Sequence, residues 1–129
     1  MKLEVDGMCF ACGQQNPIGL KLSFHFEGDD YVTSLQIRPE YQGWAGIVHG
    51  GLLATALDET MARLLWEREI NAITGRLEVR YRRPVAIGEQ LQLRGRITRR
   101  RPPVVETEAW AIAADGAVVA EAKATSIGV

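Results

Sequence analysis

A chain of 129 residues with a formal net charge of −1 has no global field to draw nucleic acid or an anionic membrane. Its 47% hydrophobic and 24% charged residues exclude a disordered chain and suit one that buries a core. No apolar run approaches the ~20 residues that cross a bilayer, and Met1–Asp6 lacks a signal peptide's apolar region, so one cytoplasmic domain over residues 1–129 is expected.

Residues 1–19 read as an N-terminal loop leader, because Gly7 to Gly19 is rich in Gly, Gln, Asn and Pro. The leader holds both cysteines of the chain, Cys9 and Cys12, and the only histidines are His25 and His49. One Cys-x-x-Cys supplies half of a four-ligand zinc site and no second pair exists, so no metal is expected. The pair reads as two reduced, partly buried thiols. Next, Leu20, Leu22, Phe24 and Phe26 alternate with polar residues, as do Tyr31, Thr33, Leu35 and Ile37. Glu27-Gly28-Asp29-Asp30 separates the two runs, which predicts a β-hairpin. His25 falls on its outward side.

Residues 39–51 form a loop with Gly43, Gly46, Gly50, Gly51 and Trp44. Leu53, Leu57, Met61 and Leu64 then recur at helical spacing, which predicts one helix from about Gly51 to Glu69. Four alternating segments follow: Arg76–Arg82 ended by Pro84, Leu91–Ile97, Val104–Ala113 after the Pro102-Pro103 turn, and Val118–Ile127 after Asp115-Gly116. The order is taken as β-β-α-β-β-β, an α+β layer of one long helix on one antiparallel sheet. Ala120, Ala122 and Ala124 share a face of the last strand and leave room for a close neighbour.

The segment Ile47 to Asp58 carries the chemistry. Gly50 and Gly51 stand where the loop enters the helix, and their amides belong to the unpaired donors of a helix start. Such donors suit a polarised carbonyl or an oxyanion. Asp58 sits two turns into the helix, where it caps nothing, with Ala54 and Ala62 four residues to either side. A buried structural acid is the bland alternative. The charged stripe lies elsewhere, along Thr55, Glu59, Arg63 and Glu67, and predicts Glu59–Arg63 and Arg63–Glu67 pairs.

His49-Gly50-Gly51, six residues, then Asp58 on a helix resembles the hotdog-fold acyl-CoA thioesterases, particularly the phenylacetyl-CoA thioesterase-like branch. The leader Cys9 to Leu20 and the strand Thr74 to Val85 extend the resemblance over nearly the whole chain. It implies an α+β hotdog fold, an antiparallel β-sheet wrapped around one long central helix. It also implies hydrolysis of an acyl-CoA to a free acid and CoA, with CoA as part of the substrate and no cofactor. The Gly50 amide would polarise the thioester carbonyl, with Gly51 beside it, and His49 would shape the loop and hydrogen-bond near the carbonyl. Asp58 would act as general base or nucleophile, and Thr74 would position the water. The site would lie between subunits of a homodimer or homotetramer. Some relatives carry Asn six residues before the His; here that position is Gly43, and the neighbouring Gln42 is the substitute. Arg82, Arg83 and Arg100 are candidates to grip CoA phosphates, against the bland reading of a solvated face. Trp44, Trp66 and Trp110 are candidates to line an acyl pocket, although large aromatics more often simply pack. Two rival readings are a non-catalytic acyl-CoA-binding module on the same fold and a hotdog enoyl-CoA hydratase or dehydratase.

Overall fold

The computed structural model describes residues 1–129. Its elements are β1 (His25–Glu27), β2 (Asp30–Gln36), a 3-10 turn at Pro39–Tyr41, α1 (Gly50–Glu67), β3 (Ala72–Tyr81), β4 (Gln90–Arg101), β5 (Val104–Ala113) and β6 (Val118–Gly128). All six strands form one sheet in the order β1-β2-β4-β5-β6-β3, with every neighbouring pair antiparallel. Each of the four alternating segments after the helix makes its own strand, so the order is β-β-α-β-β-β-β, one strand more than expected. Because β2 and β3 lie on opposite sides of the sheet, the β2-α1-β3 connection carries the helix across it. α1 touches every strand from β2 to β6. This is the wrapped sheet and central helix expected of the hotdog fold.

An 18-residue helix is marginal by itself in water, so packing must hold it. Leu53, Leu57, Met61 and Leu64 are all buried, and each contributes about 1.5–3 kcal/mol by leaving water. Ala120, Ala122 and Ala124 are buried in the same cluster, so the close neighbour that their small side chains admit is the helix. Gly95 on β4 is the tightest such approach. A Cβ there would meet Thr60 Cγ2 at 2.9 Å.

Two further expectations change. The first hairpin strand is only three residues, because the Leu20 and Leu22 amides donate to the Phe10 and Ala11 carbonyls, at 2.8 and 2.9 Å, instead of joining the sheet. The leader is thereby folded against the body of the chain. The Arg63–Glu67 pair forms at 3.1 Å, but Glu59 accepts from the Cys9 thiol at 3.2 Å instead of pairing with Arg63. The leader supplied a partner that helix periodicity does not contain. His25 is exposed and lies 2.9 Å from Glu27.

Candidate active site

The helix begins at the glycine turn. His49 is its N-cap residue, and its Nδ1 accepts from the Gly51 amide at 2.9 Å. An accepting Nδ1 carries no proton, so in the neutral ring Nε2 is the protonated nitrogen. The Gly50 amide has no carbonyl within the helix to reach and makes no hydrogen bond outside it. Of the two glycine donors, therefore, one is already capped and one is free. The Gly50 carbonyl is also engaged, because Tyr81 at the end of β3 donates its hydroxyl to it at 2.7 Å.

The loop before the helix is pinned by Gln42, whose Oε1 accepts from the Gly46 amide at 3.1 Å. A Cβ on Gly43 would sit 3.2 Å from His49 Cα, so an Asn there would crowd the N-cap residue. The departure from the relatives' Asn thus goes with a loop that runs close to His49 and is closed by Gln42.

Asp58 is half-buried on the flank of α1 that faces β3. Thr74 donates its hydroxyl to Asp58 Oδ1 at 2.9 Å, the one hydrogen bond to this carboxylate. Burial pushes the Asp58 carboxyl above the usual carboxylate range, and the Thr74 bond opposes that rise. No cation pairs with it. The Thr74 contact depends on a β-bulge. Along β3, Leu77, Val79 and Tyr81 pair with Ala124, Ala122 and Ala120 on the helix side, and the register shifts between Thr74 and Arg76. Simple alternation from Leu77 would turn Thr74 outward with Arg76 and Glu78. The extra residue, Gly75, returns Thr74 to the helix side, opposite buried Ser126.

The remaining candidates are scattered. Arg82 pairs with Glu121 at 2.7 Å, and Arg83 grips Glu89 at 2.6 and 3.2 Å. Arg100 has no ion-pair partner. It shares a row with Val105, Ser126 and Thr74, three strands from Thr74 or roughly 14 Å by strand spacing. The three tryptophans do not share a pocket: Trp44 is 83% exposed in the glycine loop, Trp66 lies near Ile70 and Asn71, and Trp110 stacks under Arg96. A depression of about 400 Å³ lies among Arg76, Glu78, Glu106, Glu108 and Lys123 on the outward face and does not include Asp58. We discount it as the reaction site because it contains neither a carboxylate turned toward the helix nor the free amide. Counting Cys and His in the sequence missed Glu59, which the structure brings to the two free thiols. Its place on the charged stripe gave no signal of that partner. Burial and the Glu59 carboxylate together push the Cys12 thiol up to about 12.

Solved structures resemble this chain at low identity. A thioesterase superfamily protein superposes with a TM-score of 0.86 at 24% identity over 95% of this chain, which spans 62% of that protein's length. A hypothetical thioesterase from Streptococcus pneumoniae, solved with coenzyme A, gives 0.78 at 16% identity over 84% of this chain and 85% of that one. The E. coli PaaI protein from the phenylacetic acid degradation operon gives 0.78 at 14% identity over 85% and 80%. Two further structures of the S. pneumoniae protein each carry one alanine substitution, at an Asp and at a Thr sixteen residues later. Asp58 and Thr74 have the same order and spacing here. These likenesses establish the hotdog fold. No curated protein matches the sequence. The model of the thioesterase superfamily matches residues 45–120, more than half of the chain and the whole span from the glycine turn through β5, and the chain belongs to that superfamily.

Proposed function

We propose that the protein is an acyl-CoA thioesterase whose active site is completed by a second copy of the chain. The observation that carries this reading is Asp58: a half-buried carboxylate, clear of any cation, steadied at one oxygen by Thr74 and free at the other. Water held near Oδ2 attacks the thioester carbonyl, and its proton passes to Asp58. The Gly50 N–H receives the developing oxyanion. The C–S bond then breaks, and the CoA sulfur takes the proton back from Asp58.

Geometry supports a second copy. Gly50 and Asp58 are eight residues apart on one helix, about 12 Å along its axis at 1.5 Å per residue. One chain therefore cannot set both groups on one carbonyl, whereas Asp58 of one copy and Gly50 of another could meet. β3 offers the joint. It is an edge strand of ten residues, and Leu77 and Tyr81, 38% and 49% exposed, lie on its helix side and stay partly open. An acyl-CoA substrate is supported by family membership and by the coenzyme A in the S. pneumoniae structure.

The test is hydrolysis of a panel of acyl-CoAs by the wild type and Asp58→Asn. The expected loss in kcat is about 10²–10⁴-fold, the usual worth of a general base. Activity within a few-fold of wild type would remove Asp58 from the chemistry. Tight acyl-CoA binding without turnover across the panel would favour the binding-module reading instead.

A further inference from the structure

The hydrolytic reading leaves one side-chain cluster without a task. Cys9 Sγ lies 3.2 Å from Glu59 Oε2, and one donor atom from each of Cys9, Cys12 and Glu59 falls within 4.8 Å of the others. The leader is shaped around the sulfurs. The Gly13 amide donates to the Cys9 carbonyl at 2.8 Å, and the Cys12 amide points at Cys9 Sγ at 3.5 Å. A Cβ on Gly13 would meet the Gly7 oxygen at 2.4 Å and the Cys9 nitrogen at 2.5 Å, so no other residue closes this turn without shifting the backbone. Arg63 Nη1 stands 3.9 Å from Cys12 Sγ.

The charges call for a cation. Two thiolates and a carboxylate bring three negative charges, and the Arg63 guanidinium beside Cys12 is already paired with Glu67 at 3.1 Å. Two sulfurs with one carboxylate select a soft, zinc-like ion over magnesium or calcium. Tetrahedral zinc, with bonds of about 2.0–2.3 Å, sets neighbouring donor atoms about 3.5–3.8 Å apart. Donors within 4.8 Å reach that spacing by small side-chain adjustments. We propose that Cys9, Cys12 and Glu59 bind one zinc-class divalent cation that fastens the leader to α1, with water in the fourth position. Binding releases the two thiol protons to solvent. The proposal is independent of the hydrolytic role of Asp58.

The test uses the full chain, reduced and treated with a chelator, then titrated with Co²⁺ as a spectroscopic substitute for zinc. A thiolate-to-cobalt charge-transfer band should rise to saturation at one equivalent per chain, with two protons released per ion, and zinc should abolish it. Cys12→Ser should lose the band. Glu59→Gln, which keeps the shape of the side chain, should retain a band but weaken binding at least about tenfold. The wild-type titration depends on no variant, so a misfolded Cys12→Ser leaves the test intact. No band, with both thiols assayed as reduced, overturns the proposal. So does a Cys9–Cys12 disulfide that persists under reductant. Unchanged affinity in Glu59→Gln removes Glu59 from the site.

Discussion

Asp58 and Glu59 are adjacent acids on one helix, yet they face opposite flanks. Asp58 turns to β3, where its company is one hydroxyl and the alanines at 54 and 62. Glu59 turns to the leader, where two thiols and Arg63 gather. One step of about 100° around the helix separates a carboxylate kept nearly unpartnered from one embedded in a polar cluster. An unpartnered acid in a half-buried setting is available for proton transfer. One met by sulfur is held for binding. Residue type alone distinguishes nothing here; the element packed on each flank does.

The Asp58 flank can be broken most severely through its distant partner. Gly50→Pro removes the free amide, and proline is well accepted as the first residue of a helix. His49, at φ −61° and ψ 126°, already has the extended conformation that precedes proline. The expected cost in kcat is about 10²–10³-fold with the fold intact by circular dichroism. Mixed with Asp58→Asn, the variant sharpens the comparison. If the two groups come from different chains, one site in each mixed dimer is fully wild type and activity returns. Mixtures as inactive as either parent would put both groups of a site on one chain.

A smaller effect belongs to the hydroxyl beside Asp58. Thr74→Val should lower kcat about tenfold, in line with a hydrogen bond to a charged group, while Thr74→Ser should restore it. If both variants match wild type, Thr74 is only a strand residue.

The helix face between the two flanks gives the mildest tests, read as stability. Gly95→Ala should destabilise by about 1–3 kcal/mol in urea unfolding, because the added carbon meets Thr60 Cγ2 at 2.9 Å. An unchanged midpoint would mean that the helix moves aside freely. Thr107 has the opposite problem, a buried hydroxyl with no hydrogen-bond partner. Thr107→Val should raise stability by up to about 1 kcal/mol, and a clear loss would reveal a partner for that hydroxyl.

Much of this was legible in the sequence. The 3.6-residue period gave a helix at Gly51–Glu69, observed at Gly50–Glu67, and β5 ends where alternation put it. The glycine turn and Asp58 stood out because a loop motif and a mid-helix acid are local features. What local pattern could not supply is pairing between distant segments. It did not tell that Leu20 and Leu22 would bond to the leader, or that Glu59 would find Cys9 instead of Arg63. Nor did it tell which way Thr74 turns, since one bulge residue reverses the face of everything before it. Gly75 marks the place, but a glycine in a strand signals irregularity without its direction.

The open edge of β3 has a consequence beyond chemistry. The free side of the ten-residue β3 strand, with Leu77 and Tyr81 partly exposed on its helix side, forms a template for any extended segment that drifts past. A newly made chain would carry this aggregation hazard until the edge is occupied. Pairing with a second copy would then be protective as well as catalytic.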